Sequence, residues 1–529
     1  MKSSLKTWLG DFPLTAEIYW HLRQRGKPTG GFSYKRLQEV LPVWRDESLA
    51  ALRQKRPESG KRILIFATLR YWIEHAAVLS LALSGLGHKV TLAYLPYANW
   101  KKPINRFDLR RQNEYTKHVL KLASPPLNIV SFFDYPLAPL PESMFPSIEN
   151  AALQDTQYTW QVEDVDRNGK LYRMRLERNS QAARVALHWI GENKPDVVIM
   201  PSGSIVEFSA VYHAARHLNV PVVSYEFGEQ RERIWFSLDS QVMRQNTDEM
   251  WEKYQDIDLK PEQLERIQTL FASRQKANLW QNFSRRWQGV PSEGGEKVRE
   301  MLGLDHRPIV LLAANVIGDS LTLGRQVFTD SMGDWLVRTA HAFVKRPEVQ
   351  LVVRIHPGER YTTGPSVAEM IRQVLASYPV TPQNIHLVAA DAAVNTYDLI
   401  EIADFGLVYT TTTGMEMALS GIPVIVVGQT HYRKRGFTLD PQSWQEYETL
   451  LSAILSAPEN FKVSTEKLAR AWRYAYHYFF SYPQPFPWHL WYFWETVRDW
   501  PMRRVLSAEG MKLFGNTFDY LGDKPRKWD

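Results

Sequence analysis

The stretch YTTTTGMEMALSGIPVIVVGQTHYRKRGFT, residues 409–438, sets four threonines and a glycine before an apolar run whose one acidic residue is Glu416. IPVIVVG is a short apolar run bounded by Gly and Pro, and DFGLVYT just before the tract is another. Both read as buried strands. TGMEMALSG between them has helical character, so the stretch reads as strand, helix, strand, the unit of a parallel sheet. A polar tract at the mouth of such a unit needs a reason to be there.

The same rhythm runs outward from it. Upstream, RPIVLLAAN, VQLVVRIHP and NIHLVA read as strands, with helices at GDWLVRTAHAFVKR and VAEMIRQVLASY. The first half repeats the pattern. KRILIFA, TLAYLP, LNIVSFF, PDVVIMPSGS and PVVSYEFGE read as strands, and IEHAAVLSLALSGLGHKV and VEFSAVYHAARHLN as helices. Residues 241–305 are polar and helical in character, with Trp251, Trp280 and Trp287 spaced along them. The predicted organisation is an extension (1–60), an α/β domain (61–240), a helical connection (241–305), a second α/β domain (306–460) and an aromatic helical tail (461–529). Two successive parallel α/β domains fit a two-lobed Rossmann-like architecture.

Composition narrows the function classes. A chain of 529 residues exceeds one ordinary core, and 44% hydrophobic with 23% charged residues excludes a disordered chain. A net charge of +7 suits anionic ligands or an anionic membrane surface, and no basic run of nucleic-acid type occurs. The absence of Cys removes disulfides, thiolate metal sites and a Cys nucleophile. The first residues lack an apolar core of signal-peptide length, and no window of about 18 apolar residues reads as a membrane span. A cytoplasmic protein is expected. The run from Trp472 to Trp494 carries 13 aromatics in 23 residues. It reads as a buried element crossing back onto the first domain, or alternatively as a peripheral contact with the inner face of the membrane, with Arg503 and Arg504 near anionic headgroups.

In a doubly wound domain ligands sit at the carboxyl ends of the strands. Four strand ends of the second half are polar and carry Gly. They are the loop with Asn315, Asp319 and Ser320, the turn His356-Pro357 flanked by Arg354 and Arg360, the tract Thr410–Thr413 with Gly414, and the turn with Gln429 and His431. Helix N-termini and hydroxyls bind phosphate, so Thr411, Thr412 and Thr413 are candidate phosphate ligands. Gly414 would let a ligand approach the backbone. Glu416 either complements the helix dipole or accepts from ribose hydroxyls. His356 is either a structural histidine or a donor to phosphate.

The order LVVRIHPGE, then DFGLVYTTTTGMEMALSGIPVIVVGQTHYRKRGFT, resembles the nucleotide-binding domain of bacterial capsule-polysaccharide biosynthesis glycosyltransferases, a group that includes Kdo transferases. NVIGDS looks like the Asn-x-x-x-Asp-Ser loop of that family, and the likeness covers roughly residues 305–440. It implies a GT-B fold with the first domain taking the acceptor. It also implies His356 and Pro357 as the family's His-Pro motif, Thr411–Thr413 as its phosphate Ser/Thr pair, and Glu416 as the ribose-binding Glu. A Glu eight residues before Glu416, common in retaining enzymes, is Val408 here, which favours inversion.

An inverting transfer needs a base in the first domain, and the candidates are Glu226, with Gly228 and Glu229 beside it, Glu74 and His75. No His, Asp or Glu set has metal-ligand spacing. No cofactor is expected beyond the nucleotide-sugar donor, with CMP- or UDP-linked donors ahead of GDP. The expected partners are that donor and a polysaccharide or lipid-linked glycan acceptor, with no nucleic acid. Two alternatives remain: a CDP-glycerol or polyol-phosphate transferase of teichoic-acid type, and a non-catalytic scaffold of polysaccharide assembly.

Overall fold

The computed structural model describes residues 3–28, 31–54, 60–278 and 289–528; Trp280 and Trp287 lie outside the described residues. The first sheet contains β1 (Arg62–Thr68), β2 (Lys89–Leu95), β3 (Leu127–Ser131), β4 (Val197–Pro201), β5 (Val222–Glu226) and β6 (Arg233–Leu238). The second contains β7 (Ile309–Ala313), β8 (Gln350–Arg354), β9 (Ile385–Val388), β10 (Phe405–Val408) and β11 (Val424–Val426). A two-residue strand, β12 (Gln484–Pro485), returns to the edge of the first sheet.

The first sheet runs β12-β6-β5-β4-β1-β2-β3 and the second β11-β10-β7-β8-β9. All pairings among β1–β5 and among β7–β11 are parallel, and β6 alone runs against its sheet, pairing antiparallel with β5 and with β12. The central parallel strands are apolar runs because helices cover both faces of the sheet; β4, β7 and β8 are buried at every position, whereas the edge strands β3 and β9 are only partly buried. In each sheet the strand order reverses beside the first strand, between β1 and β4 and between β7 and β10. A ligand crevice opens at such a point, beyond the carboxyl ends of the strands.

The tail ties the two halves together. The helix Thr465–Phe480 packs on Pro261–Gln275 and on Thr413–Leu419, and the chain then enters the first sheet through β12. Tyr474, Tyr478 and Phe480 belong to the core beneath the second sheet, whereas Phe486, Trp488 and Phe493 belong to that of the first. The aromatic run is thus interior material shared by two cores, and the membrane alternative for it loses its surface. Two Rossmann-like domains, a helical connection and a returning C-terminal segment make the GT-B arrangement.

Three helices, Arg106–Leu120, Phe145–Trp160 and Lys170–Asn193, fill a region where the sequence shows only β3 clearly. Their charged faces dilute the apolar period. The last of them buries Arg175, which bridges Asp155 at 2.8 Å and Glu207 at 2.9 Å. A buried triad of this kind occupies stripe positions that a hydrophobic pattern leaves blank.

Candidate functional site

The crevice between the domains is built from strand ends. From the first domain, the segment after β5 supplies Gly228, Glu229 and Gln230. From the second, Leu321 follows β7 and Thr410 and Thr412 follow β10. Together with Arg274, Tyr478 and Phe479 they enclose a cavity of about 180 Å³.

Arg274 comes from the connecting helix Pro261–Gln275, whose buried face is Ile267, Leu270, Phe271 and Arg274. Its guanidinium donates to Glu416 at 2.8 Å and to Glu229 at 2.6 Å, and it lies 4.4 Å over the ring of Phe479. One cation thus joins a carboxylate of each domain. Glu416, the expected ribose ligand, is buried and engaged with Arg274, and it does not itself line the cavity.

The Thr tract is arranged differently from a simple cap. Thr412 precedes the helix Thr413–Leu419 and makes no side-chain cap bond. Thr411 accepts from the backbone N–H of Thr413 at 3.3 Å, and the two hydroxyls lie 3.1 Å apart. The helix has seven residues, so little macrodipole is available and the hydroxyls are the stronger candidate donors to an anion. Gly414 does not leave room for a ligand. A Cβ there would sit 2.4 Å from the Tyr432 hydroxyl and 2.7 Å from Val408, so the glycine admits Tyr432. That hydroxyl donates to the Thr411 carbonyl at 2.5 Å and so props the tract from behind.

On the loop after β7, Asn315 accepts from the Thr410 N–H at 3.2 Å and ties the two loops that flank the strand reversal. Asp319 accepts from the Leu321 N–H and the Ser320 hydroxyl, both at 3.1 Å. After β8, His356 accepts from the Gly358 N–H through Nδ1 at 3.0 Å, which places a ring proton on Nε2. Burial lowers its pKa, opposed by the nearby Asp319 carboxylate. Pro357 opens the short helical turn that follows. Arg354 turns away from the crevice. Its guanidinium donates to the carbonyls of Ala389 at 2.6 Å and Val394 at 3.3 Å, and burial lowers its pKa to about 10.

The turn after β11 also departs from expectation. His431 is stacked 3.8 Å from the ring of Tyr478, and its Nδ1 meets the Tyr474 hydroxyl at 3.0 Å. With the exposed Gln429 it lines a separate groove of about 480 Å³ between the domains, away from the Thr tract. Arg433 is bonded to the carbonyls of Val426, Val427 and Pro441, and Arg435 to Asp248 at 2.5 Å. The segment HYRKRGF braces the second domain.

Of the three candidate bases, His75 is fully buried among Trp72, Tyr225, Phe227 and Phe486. Its ring nitrogens meet the Tyr225 hydroxyl and the Trp488 carbonyl, both at 3.2 Å, and burial drops its pKa to about 3. A histidine enclosed in this way has no access to an acceptor. Glu74 pairs with Arg70 at 3.1 Å under the N-terminal segment, and burial raises it to about 7. Glu226 sits at the end of β5, accepts from the Phe227 N–H at 3.0 Å, and is raised to about 7 by burial.

Tyr158 shows what Glu226 faces. Burial, then the carboxylates Asp319 and Glu226, push this phenol up to about 12. Glu226 also acts on Tyr71, which burial and then Tyr158 and Glu226 raise to about 12. Glu226 of the first domain and Asp319 of the second thus both act on the Tyr158 phenol, and Asp319 also acts on His356. The sequence reading missed Tyr158, Tyr71 and Arg274. The last had a signal, since position 274 continues the stripe 267, 270, 271. Among the described residues no group of three or more His, Cys, Asp or Glu is placed to hold a metal ion.

No family model and no curated protein matches the chain. Solved structures similar to it include Thermosulfurimonas dismutans KpsC, a beta Kdo 2,4 transferase, at 16% identity over 55% of this chain and 82% of that one, with a TM-score of 0.33. An S. aureus MnaA–UDP structure aligns at 12% identity over 78% and 91% of the two chains, with a TM-score of 0.26. A glycosyltransferase from Rickettsia africae aligns at 10% over 79% and 94%, also with a TM-score of 0.26. These likenesses are distant, and the sheet order itself is what defines the chain as a GT-B-type protein.

Proposed function

We propose that the chain is a glycosyltransferase that moves a sugar, with inversion, from a nucleotide-sugar donor to a capsule-like polysaccharide or glycolipid acceptor. The observation that carries this reading is the cavity at which Glu229 of the first domain faces Thr410 and Thr412 of the second, with Arg274 bonded to a carboxylate of each domain. Glu226, at the end of the strand that leads to Glu229, is the carboxyl group that burial raises to about 7. A carboxyl group held near neutrality is poised to act as a general base at physiological pH.

In the proposed reaction, ionised Glu226 takes the proton of an acceptor hydroxyl. The acceptor oxygen attacks the anomeric carbon, and the bond from that carbon to the nucleotide phosphate oxygen breaks. The electron pair leaves with the phosphate, whose charge is met by the His356 Nε2–H and the hydroxyls of Thr411–Thr413. Arg274, held by Glu416, borders the nucleoside end of the cavity. Asn315, Gly414 and Pro357 shape these loops, Ser320 orders Asp319, and the donors favoured remain CMP- or UDP-linked.

The test is a screen of CMP-, UDP- and GDP-sugars beside CDP-glycerol, following release of free nucleotide by wild type and Glu226→Gln. Release from one sugar nucleotide that drops by about 10²-fold or more in the variant, with donor binding retained, supports the proposal. Release from CDP-glycerol alone would reassign the chain to polyol-phosphate transfer. Undiminished release in the variant would remove Glu226 from the reaction.

A further inference from the structure

The N-terminal helices Ser3–Asp11 and Thr15–Leu22 carry an apolar stripe on the wrong side. Leu5 and Trp8 lie on the first with Phe12 just past its end, and Ile18 and Leu22 lie on the second with Leu14 just before its start, at spacings of three or four residues within each group. All six are between 45% and 74% exposed. A surface helix ordinarily turns such a stripe inward. Here the inward face is set by other contacts. Trp20 and Ala16 are buried, Lys6 pairs with Asp108 at 2.8 Å, and Arg110 pairs with Glu17 at 2.5 Å and donates to the Gly10 carbonyl at 3.1 Å. The helix Arg106–Leu120 thus clamps the hairpin through its polar side, so the apolar stripe cannot rotate away from solvent.

The surroundings of the stripe are basic. Arg23, Arg25 and Lys27 are exposed just past the second helix. Lys101, Lys102 and Arg106 are exposed on the neighbouring segment, which Asn105 fastens to Thr7 at 3.1 Å. Asp11 is the exposed carboxylate on the hairpin. Contiguous exposed apolar side chains rimmed by cations are the chemistry of an interfacial membrane anchor. Basic groups near an anionic leaflet add electrostatic attraction to the burial of the apolar side chains.

We propose that this hairpin docks the protein on an anionic lipid surface, with Leu5, Trp8, Phe12, Leu14, Ile18 and Leu22 inserted at the headgroup boundary. The groove of about 970 Å³ beyond the ends of β2 and β3 shares Leu14 and Glu17 with the hairpin, so docking sets its mouth beside the membrane. The docking is independent of the transferase reading and is tested without any donor. The full chain is mixed with vesicles of phosphatidylcholine alone, or of phosphatidylcholine with phosphatidylglycerol, and separated by flotation.

Wild type floats with the anionic vesicles and is released as salt rises. Ile18→Glu/Leu22→Glu lowers partitioning at least about tenfold, and Arg23→Glu/Arg25→Glu/Lys27→Glu removes the preference for the anionic lipid. Failure of wild type to float, or flotation unchanged in both variants, overturns the proposal. Sedimentation velocity in the absence of lipid provides the other arm. A dimer abolished by Ile18→Glu/Leu22→Glu would assign the stripe to a second copy of the chain and overturn lipid docking. Should that variant fail to fold, Leu14→Ser carries the same comparison.

Discussion

Arg274 and Glu416 form a buried ion pair at 2.8 Å across the boundary between the connecting helix and the second domain, with Arg274 at the cavity wall. The same guanidinium holds Glu229 of the first domain. Removing one partner of a buried pair leaves an uncompensated charge, which typically costs about 3–5 kcal/mol. Arg274→Ala should therefore lower denaturant stability by an amount in that range. Arg274→Ala/Glu416→Gln should recover part of the loss, and a double-mutant cycle by chemical denaturation measures the coupling. Additivity of the two changes would mean that the pair does not hold the domains.

Glu226 gives a pH signature whose sign is fixed. Transfer needs the ionised carboxylate, so kcat/KM should rise with pH through about 7, where burial places this group. Stability moves the other way. The folded chain keeps a proton on Glu226 that the unfolded chain releases near 4.5, so folding stability is greatest below 4.5 and declines as pH rises towards 7. Glu226→Gln should abolish the rising limb of the rate profile and flatten the stability decline, read by melting temperature against pH. Glu74, also raised to about 7, contributes a decline of the same sign that remains in this variant.

Gly414 tests whether the Thr tract is propped by Tyr432. Alanine is the better helix former by about 1 kcal/mol, so a neutral site would gain from Gly414→Ala. Because its Cβ would meet the Tyr432 hydroxyl at 2.4 Å, the substitution should instead destabilise by roughly 1–3 kcal/mol. Tyr432→Phe in the same chain removes the clashing oxygen and should restore part of the loss. Thermal unfolding of the single and double variants decides it.

The ten parallel strands are legible in the sequence, the central ones because burial on both faces makes them apolar runs. β6 and β12 are not. RIWFSL alternates at a sheet edge, and β12 has two residues whose pairing partner, Arg233–Ile234, is some 250 positions away. In the site, the polar strand ends can be found by position alone, but which of them face the crevice cannot. Arg354 is drawn to free carbonyls beyond β9, His75 sinks into an aromatic core whose members come from residues 72–493, and His431 is taken up by tyrosines of the tail. Each of these outcomes depends on contacts far away in sequence. Arg274 was hidden for the opposite reason, a charge standing at an apolar stripe position.

The central claim is that a nucleotide binds where β7, β8 and β10 end, against Thr411–Thr413, His356 and Glu416. Calorimetric titration of CMP, UDP and GDP into wild type and into Thr411→Val/Thr413→Val tests it most directly. The account predicts that one of these nucleotides binds wild type at a single site and that affinity falls at least about tenfold in the variant, the cost of losing hydroxyl donors to an anion. Binding of none of the three, or equal binding to both proteins, would contradict it.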